Sequence, residues 1–211
     1  MTEQQEQQIT ADEILNQHKG YSQFVSTLFN RTGDPSKDFA HTVLGVLTEC
    51  DEYLRAPDLT NAIEEAGDLM FFVTALGIVC REHFQYFDDT AACGGEEFSE
   101  ALTLSEKASA GALWASYSVE LMDVVKRWVG YGKEPTVGQV YSAFCKVVTL
   151  SGKVLDSGLA KDTDIQIVLK ANVEKLLLRY KGLKFSAEKA VDRDVASERE
   201  VLERASQQQQ S

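Results

Sequence analysis

Histidine and proline are scarce in this chain, three of each among 211 residues. With so few histidines, a His-rich metal site is excluded. The four cysteines, Cys50, Cys80, Cys93 and Cys145, form no CxxC pair and no zinc spacing. They read as reduced, structural thiols of a cytosolic protein. No apolar run is long enough to cross a bilayer, and the polar opening "MTEQQEQQ" predicts no secretory signal. Positive charge is also in short supply. Lys and Arg number 21 against 33 Asp and Glu, for a net charge of −12. Grip on nucleic acid and on anionic membranes is supplied by Lys and Arg, so neither is an expected partner. A small anionic substrate fits only if a metal ion stands between it and the carboxylates.

What the chain does have is helical period. Apolar residues recur at three and four, and β-branched residues rarely alternate with polar ones. The pattern predicts one all-α domain, a bundle of about six to seven helices over residues 10–205. Residues 1–9 and 206–211 are expected to be disordered. The first helix, about 10–30, opens on a Thr10–Glu13 capping box. The second, about 37–56, stops at Pro57, and the third covers about 60–86. "DDTAACGGEE" is a loop. Further helices follow over about 99–130, 136–157, 163–180 and 186–205. Those beginning at "TVGQ" and "TDIQ" also carry capping-box signals.

The third helix poses a problem. Ala62, Ala66, Leu69, Val73, Leu76 and Cys80 form one apolar stripe, and a second stripe runs Glu65, Asp68, Phe72, Ala75, Val79. Two carboxylates thus share a face with apolar residues on what reads as a central, buried helix. The preceding helix carries Glu49 and Glu52 on one face, while Val43, Leu47, Cys50 and Leu54 form a separate apolar stripe. Gly45 and Thr42 precede Glu49 on its own face and leave room there for something to lie against the helix. Only "APDLT" separates the two helices, which predicts an antiparallel hairpin with the two acidic pairs converging near its turn. Clustered carboxylates repel, and desolvating them unpaired is prohibitive. No Lys or Arg lies on these faces. An isolated ExxE is ordinarily a solvated surface. Two such pairs on adjacent helices, one in an apolar setting, point to a hard divalent cation, Mg²⁺ or in its place Mn²⁺.

These residues carry a resemblance. "TECDEYL…NAIEEAGDLMFF" resembles the ExxE–spacer–ExxD signature of the all-α nucleoside triphosphate pyrophosphohydrolases, the MazG-like group related to dimeric dUTPases and dCTP pyrophosphatases. "HTVLG", "KANVEKLLLRY" and "FSAEKAVDRDVASERE" extend the likeness to about half of the chain and lean it towards phage and bacterial MazG-like proteins. The resemblance implies cleavage of a nucleoside triphosphate, more readily a deoxynucleotide, between its α and β phosphates. The products are the monophosphate and pyrophosphate. It implies Mg²⁺ held by Glu49, Glu52, Glu65 and Asp68, with Glu49 or Glu52 orienting or deprotonating the attacking water. It also implies a cytoplasmic homodimer or homotetramer.

Asn172, Lys175 and Arg179 share one helical face. On the resemblance, Lys175 and Arg179 neutralise phosphate, Asn172 meets a base edge or a ribose hydroxyl, and Tyr180 stacks on a base. The competing reading pairs Lys175 and Arg179 with acidic residues of the last helix. Compact family members lack the roughly 100 residues that separate Asp68 from Asn172 here. Within that insertion, "YSVELMDVVKRWVGYGKEPT" itself resembles an acidic helix and the lysine-bearing loop after it. Glu120 and Asp123 are three apart there, and Lys126, Arg127 and Lys133 follow. Either this is a degenerate internal copy, or Lys126 or Lys133 completes the first site. No second full quartet is visible, so one metal site per chain is expected.

Other residues carry weaker signals. His41 lies two turns before Glu49 and matches a family position, although a lone His is more often a packing or capping residue. Trp114 and Trp128 read as packing residues. Ala108, Gly111, Ala115 and Ser118 form a small-residue stripe suited to close helix contact. Arg193 and Asp194 match the family tail without an assigned role beyond salt bridging. The rival from another class is a non-catalytic helical interaction module. A carboxylate-bridged di-iron bundle would need Glu-x-x-His motifs, which are absent. A guanosine alarmone stays open as a substrate.

Overall fold

The computed structural model describes residues 9–84, 110–180 and 182–209. Among these residues there is no strand, and there are nine α-helices. They are α1 (Ala11–Leu15), α2 (Gly20–Leu28), α3 (Pro35–Arg55), α4 (Leu59–Phe84), α5 (Ala110–Val125), α6 (Val137–Leu155), α7 (Ile165–Arg179), α8 (Ala187–Val191) and α9 (Val195–Gln209). A π-helical turn, Lys126–Gly130, extends α5. The all-α class follows the sequence period. The "DDTAACGGEE" loop, Cys93 and the N-terminal residues 1–8 lie outside the described residues.

Local chemistry explains most boundaries. Thr10 and Glu13 form the expected reciprocal cap of α1, and Thr136 with Gln139 does the same for α6. Asp34 caps α3, whose first residue is Pro35. Two expected helices are divided. The first breaks between Leu15 and Gly20, where Lys19 takes a left-handed conformation (φ 61°). The chain there turns back so tightly that a Cβ on Gly20 would lie 1.7 Å from the Ile14 carbonyl oxygen. The last breaks at Asp192–Asp194, because the Asp194 side chain accepts from the Ser197 amide and hydroxyl and starts a new helix. For α7 the cap is Asp164, which accepts from the Gln166 amide, rather than the expected Thr163. The tail expected to be disordered from residue 206 instead continues α9 to Gln209. Ser206 is buried there and its hydroxyl bonds Thr60.

α4 is the central helix. It packs against α2, α3, α6, α7 and α9. Ala62, Ile63, Ala66, Leu69, Leu76, Val79 and Cys80 are buried along it, and Val73 is half-buried. The α3 stripe differs by one step from expectation. Val43, Leu47 and Cys50 are buried, but Leu54 is 41% exposed and Tyr53 takes the core position. The Tyr53 hydroxyl donates to the Leu155 carbonyl at 2.9 Å, which ties α3 to the end of α6. Trp128 is buried against Phe39 and Phe84, a packing role as expected, and Trp114 is half-buried. In the small-residue stripe, Ser118 is buried while Ala115 is exposed. Ala108 lies outside the described residues.

Two glycines set helix distances around α4. A Cβ on Gly45 would meet the Phe72 ring at 2.3 Å, and one on Gly67 would meet Asn172 Cβ at 2.8 Å. The space beside Gly45 is therefore taken by Phe72, a side chain of the chain itself. Gly67→Ala must push α7 away from α4, an overpacking cost of about 1–3 kcal/mol that thermal denaturation will register.

Candidate metal and substrate cleft

The α3–α4 hairpin brings the two acidic pairs to one cleft. Glu49, Glu65 and Asp68 each offer an oxygen, and the three oxygens lie within 4.8 Å of one another. Glu52 lines the same cleft outside this group and is exposed. The cleft has a volume of about 330 Å³. Its carboxylate wall is completed by Glu64, which the helical-face argument passed over because it neighbours Glu65 in sequence. Arg179, Arg193 and Tyr180 also line the cleft, together with the aromatic group Phe29, His41 and Phe72. His41 stacks on Phe29, with ring centroids 5.1 Å apart, and meets Phe72 edge-on. Burial lowers its pKa against an opposing pull from Asp38.

Electrostatic strain in the cluster is relieved in two ways. Burial, then Asp68 and a hydrogen bond with Glu65, push the Glu49 carboxyl up to about 9. Burial and Asp68 raise Glu65 to about 7, partly offset by its bond to Glu49. The two interact closely enough that each carboxyl's titration depends on the other. The second relief is Lys175. It is fully buried and its Nζ stands 2.6 Å from Asp68 Oδ2 and 3.4 Å from Glu64 Oε1. The cation absent from the acidic faces of α3 and α4 is thus lent by α7.

Asn172 supports the same carboxylate. Its Nδ2 donates to Asp68 Oδ1 at 2.8 Å, while its Oδ1 accepts from the Tyr21 hydroxyl at 3.0 Å. Burial, then the charge of Asp68, raise the Tyr21 phenol. With Asn172 2% exposed and both ends of its amide engaged, it sits behind Asp68. Neither Asn172 nor Lys175 lines the cleft, whereas Arg179 and Tyr180 do. Tyr21 was missed because only tertiary packing brings α2 over this part of α4.

No protein-family model, curated protein or solved structure matches this chain. The site must be read from its own chemistry.

The other acidic pair is differently placed. Glu120 pairs with Lys146 of α6, and Asp123 is bound by Lys126 at 2.5 Å and Arg127 at 2.7 Å. Hydrogen bonding by Lys126 chiefly lowers the Asp123 carboxyl. A groove of about 690 Å³ between α5 and α6 is lined by Glu120, Asp123 and Lys146 among others. It is larger than the acidic cleft, but its charges are already paired. Lys126 and the exposed Lys133 line neither the acidic cleft nor that groove. Among the described residues, Glu49, Glu65 and Asp68 are the one group of three or more His, Cys, Asp or Glu side chains whose ligand atoms converge closely enough to hold a metal ion. No described helix is long and apolar enough to cross a membrane.

Proposed function

We propose that this protein is a Mg²⁺-dependent nucleotide pyrophosphohydrolase that converts a (deoxy)nucleoside triphosphate to the monophosphate and pyrophosphate. One observation carries the reading: Glu49, Glu65 and Asp68 converge within 4.8 Å in a cleft also lined by arginines and aromatics. The donor set fits the ion. It is all oxygen, without His or Cys, and retains lone pairs after the contacts from Asn172 and Lys175. When bound, Mg²⁺ supplies charge neutralisation for the phosphates and a lowered pKa for the attacking water.

The chain's own residues do the rest. Asn172 and Lys175 fix the Asp68 carboxylate from behind, so that its free lone pairs face the cleft. Glu52 stays outside the three-oxygen group at the solvent side, and it is the carboxylate we assign to orient the water and take its proton. Arg179 bears on phosphate charge, and Tyr180 with the Phe29–His41 wall encloses the base. The resemblance that suggests this reaction also implies a cytoplasmic homodimer or homotetramer and a deoxynucleotide substrate.

A second reading, the non-catalytic module, draws on Lys175. Its buried ammonium already pairs with Asp68, so the cluster has a cation of its own. Product analysis separates the two. The protein is incubated with each dNTP and NTP, and with dUTP and a guanosine alarmone, in Mg²⁺ or in EDTA. Monophosphate and pyrophosphate formed only with Mg²⁺ are expected. No turnover of any of them, with Mg²⁺ or Mn²⁺, would overturn the enzyme in favour of the module.

A further inference from the structure

Glu198 is a carboxylate 2% exposed that serves two guanidinium groups at once. Arg179, at the end of α7, donates Nε to Oε1 at 2.9 Å and Nη2 to Oε2 at 2.7 Å. Arg193, in the connector between α8 and α9, donates Nε and Nη2 to Oε2 at 3.1 and 2.7 Å. Arg193 Nη2 also reaches Glu64 Oε1 at 3.2 Å, on the carboxylate wall. Burial by itself would raise the Glu198 carboxyl, yet the hydrogen bonds from both arginines outweigh it and the net shift is downward.

A structural tie between α7 and α9 needs one guanidinium per carboxylate. Here two like charges are held side by side on one buried anchor, and both side chains line the cleft. Glu198 engages the Nε–Nη2 edge of each arginine. Among the described residues, neither Nη1 donates to a partner. The two guanidinium groups therefore carry one positive charge more than Glu198 neutralises, with Glu64 as the exchangeable second partner of Arg193, and they present fixed planar donors at the cleft. Such donors match phosphate oxygens in shape and charge.

We propose that Glu198 is a positioning residue that holds Arg179 and Arg193 as a paired clamp for the polyphosphate tail of a nucleotide, with Arg193 exchanging Glu64 for a phosphate oxygen. The inference rests on the reading of the cleft as a nucleotide site. It adds Arg193, carried by the short connector, to the groups that meet substrate, and it gives Glu198 a role that acts through both arginines.

The test uses the full chain with two probes, Mn²⁺ alone and inorganic tripolyphosphate added to the Mn²⁺-loaded protein, followed by calorimetry. Arg193→Ala is expected to weaken tripolyphosphate about tenfold, the scale of one charge-assisted hydrogen bond, with Mn²⁺ affinity unchanged. Arg193→Lys should recover part of the loss. Glu198→Gln should weaken tripolyphosphate similarly, again sparing Mn²⁺. Because it also disturbs a buried pair, its thermal midpoint is measured alongside, and the half-exposed Arg193 carries the test if Glu198→Gln fails to fold. In turnover assays Arg193→Ala should raise KM for the triphosphate far more than it lowers kcat. Wild type that takes up no tripolyphosphate would overturn the clamp. So would Arg193→Ala protein that binds it normally while melting earlier, since that is the behaviour of a structural tie. Triphosphate cleavage untouched by Arg193→Ala would overturn the clamp and leave the proposed activity standing. Arginine-dependent tripolyphosphate binding without cleavage would do the reverse.

Discussion

Glu65→Gln is expected to lower Mg²⁺-dependent pyrophosphate release on the order of 10³-fold. The change is nearly isosteric, so the packing of α4 is retained and the loss is one of charge and ligation. Glu65 supplies one of the three converging oxygens and is hydrogen-bonded to Glu49. An amide in its place offers a weaker, neutral donor oxygen to a hard cation. Mn²⁺ binding should weaken in parallel, as read by electron paramagnetic resonance. Glu52→Gln provides the contrast. If Glu52 takes the proton from water without belonging to the three-oxygen group, kcat falls while Mn²⁺ binding holds. Full activity in Glu65→Gln would remove the acidic cluster from the chemistry altogether. Loss of Mn²⁺ binding in Glu52→Gln would make Glu52 a ligand instead.

The second large effect is a pH dependence of metal affinity. Glu49 and Glu65 hold protons to higher pH in the fold than the ordinary carboxyl value of 4.5, mainly through burial. A divalent cation needs them deprotonated and must displace what they hold. Apparent affinity should therefore rise with pH, by about tenfold per unit for each proton displaced, across about pH 6 to 8.5. The same shifts fix the sign for stability. Between 4.5 and about 9 the metal-free fold binds more protons than the unfolded chain, so its stability falls as pH rises through that window. Mg²⁺ removes the penalty, and the gain in thermal midpoint on adding Mg²⁺ should widen with pH. Glu198 acts in the opposite sense, because its lowered carboxyl is stabilising until acid protonates it below the ordinary value of 4.5. That loss lies outside the window and cannot mimic the effect. A Mn²⁺ affinity independent of pH would show that the Glu49–Glu65 pair carries no proton.

Much of this arrangement was legible in the chain. Helical period and capping chemistry are local, so the all-α class, the α3–α4 hairpin and the reciprocal caps at Thr10 and Thr136 could be read directly. So could the convergence of Glu49, Glu65 and Asp68, because a short turn leaves two antiparallel helices few ways to pair. The breaks at Lys19 and Asp192 were hidden. Each depends on a turn or cap that competes with an otherwise good helical pattern.

Partner choice across long separations is a property of tertiary structure alone. The acidic faces of α3 and α4 carry no cation, and only the docking of α7 through Gly67 delivers Lys175 to Asp68 and turns Asn172 behind it. Arg179 had two readings in the sequence, phosphate contact or pairing with the last helix; the fold pairs it with Glu198 and also places it in the cleft lining. Lys126 was claimed by Asp123 one turn away, a contact always within reach on a helix, and so was not left for the cleft. Periodicity says which face a residue occupies. Which of several available charges it meets is settled by the distances that packing sets, and over a few ångströms those distances decide the energy.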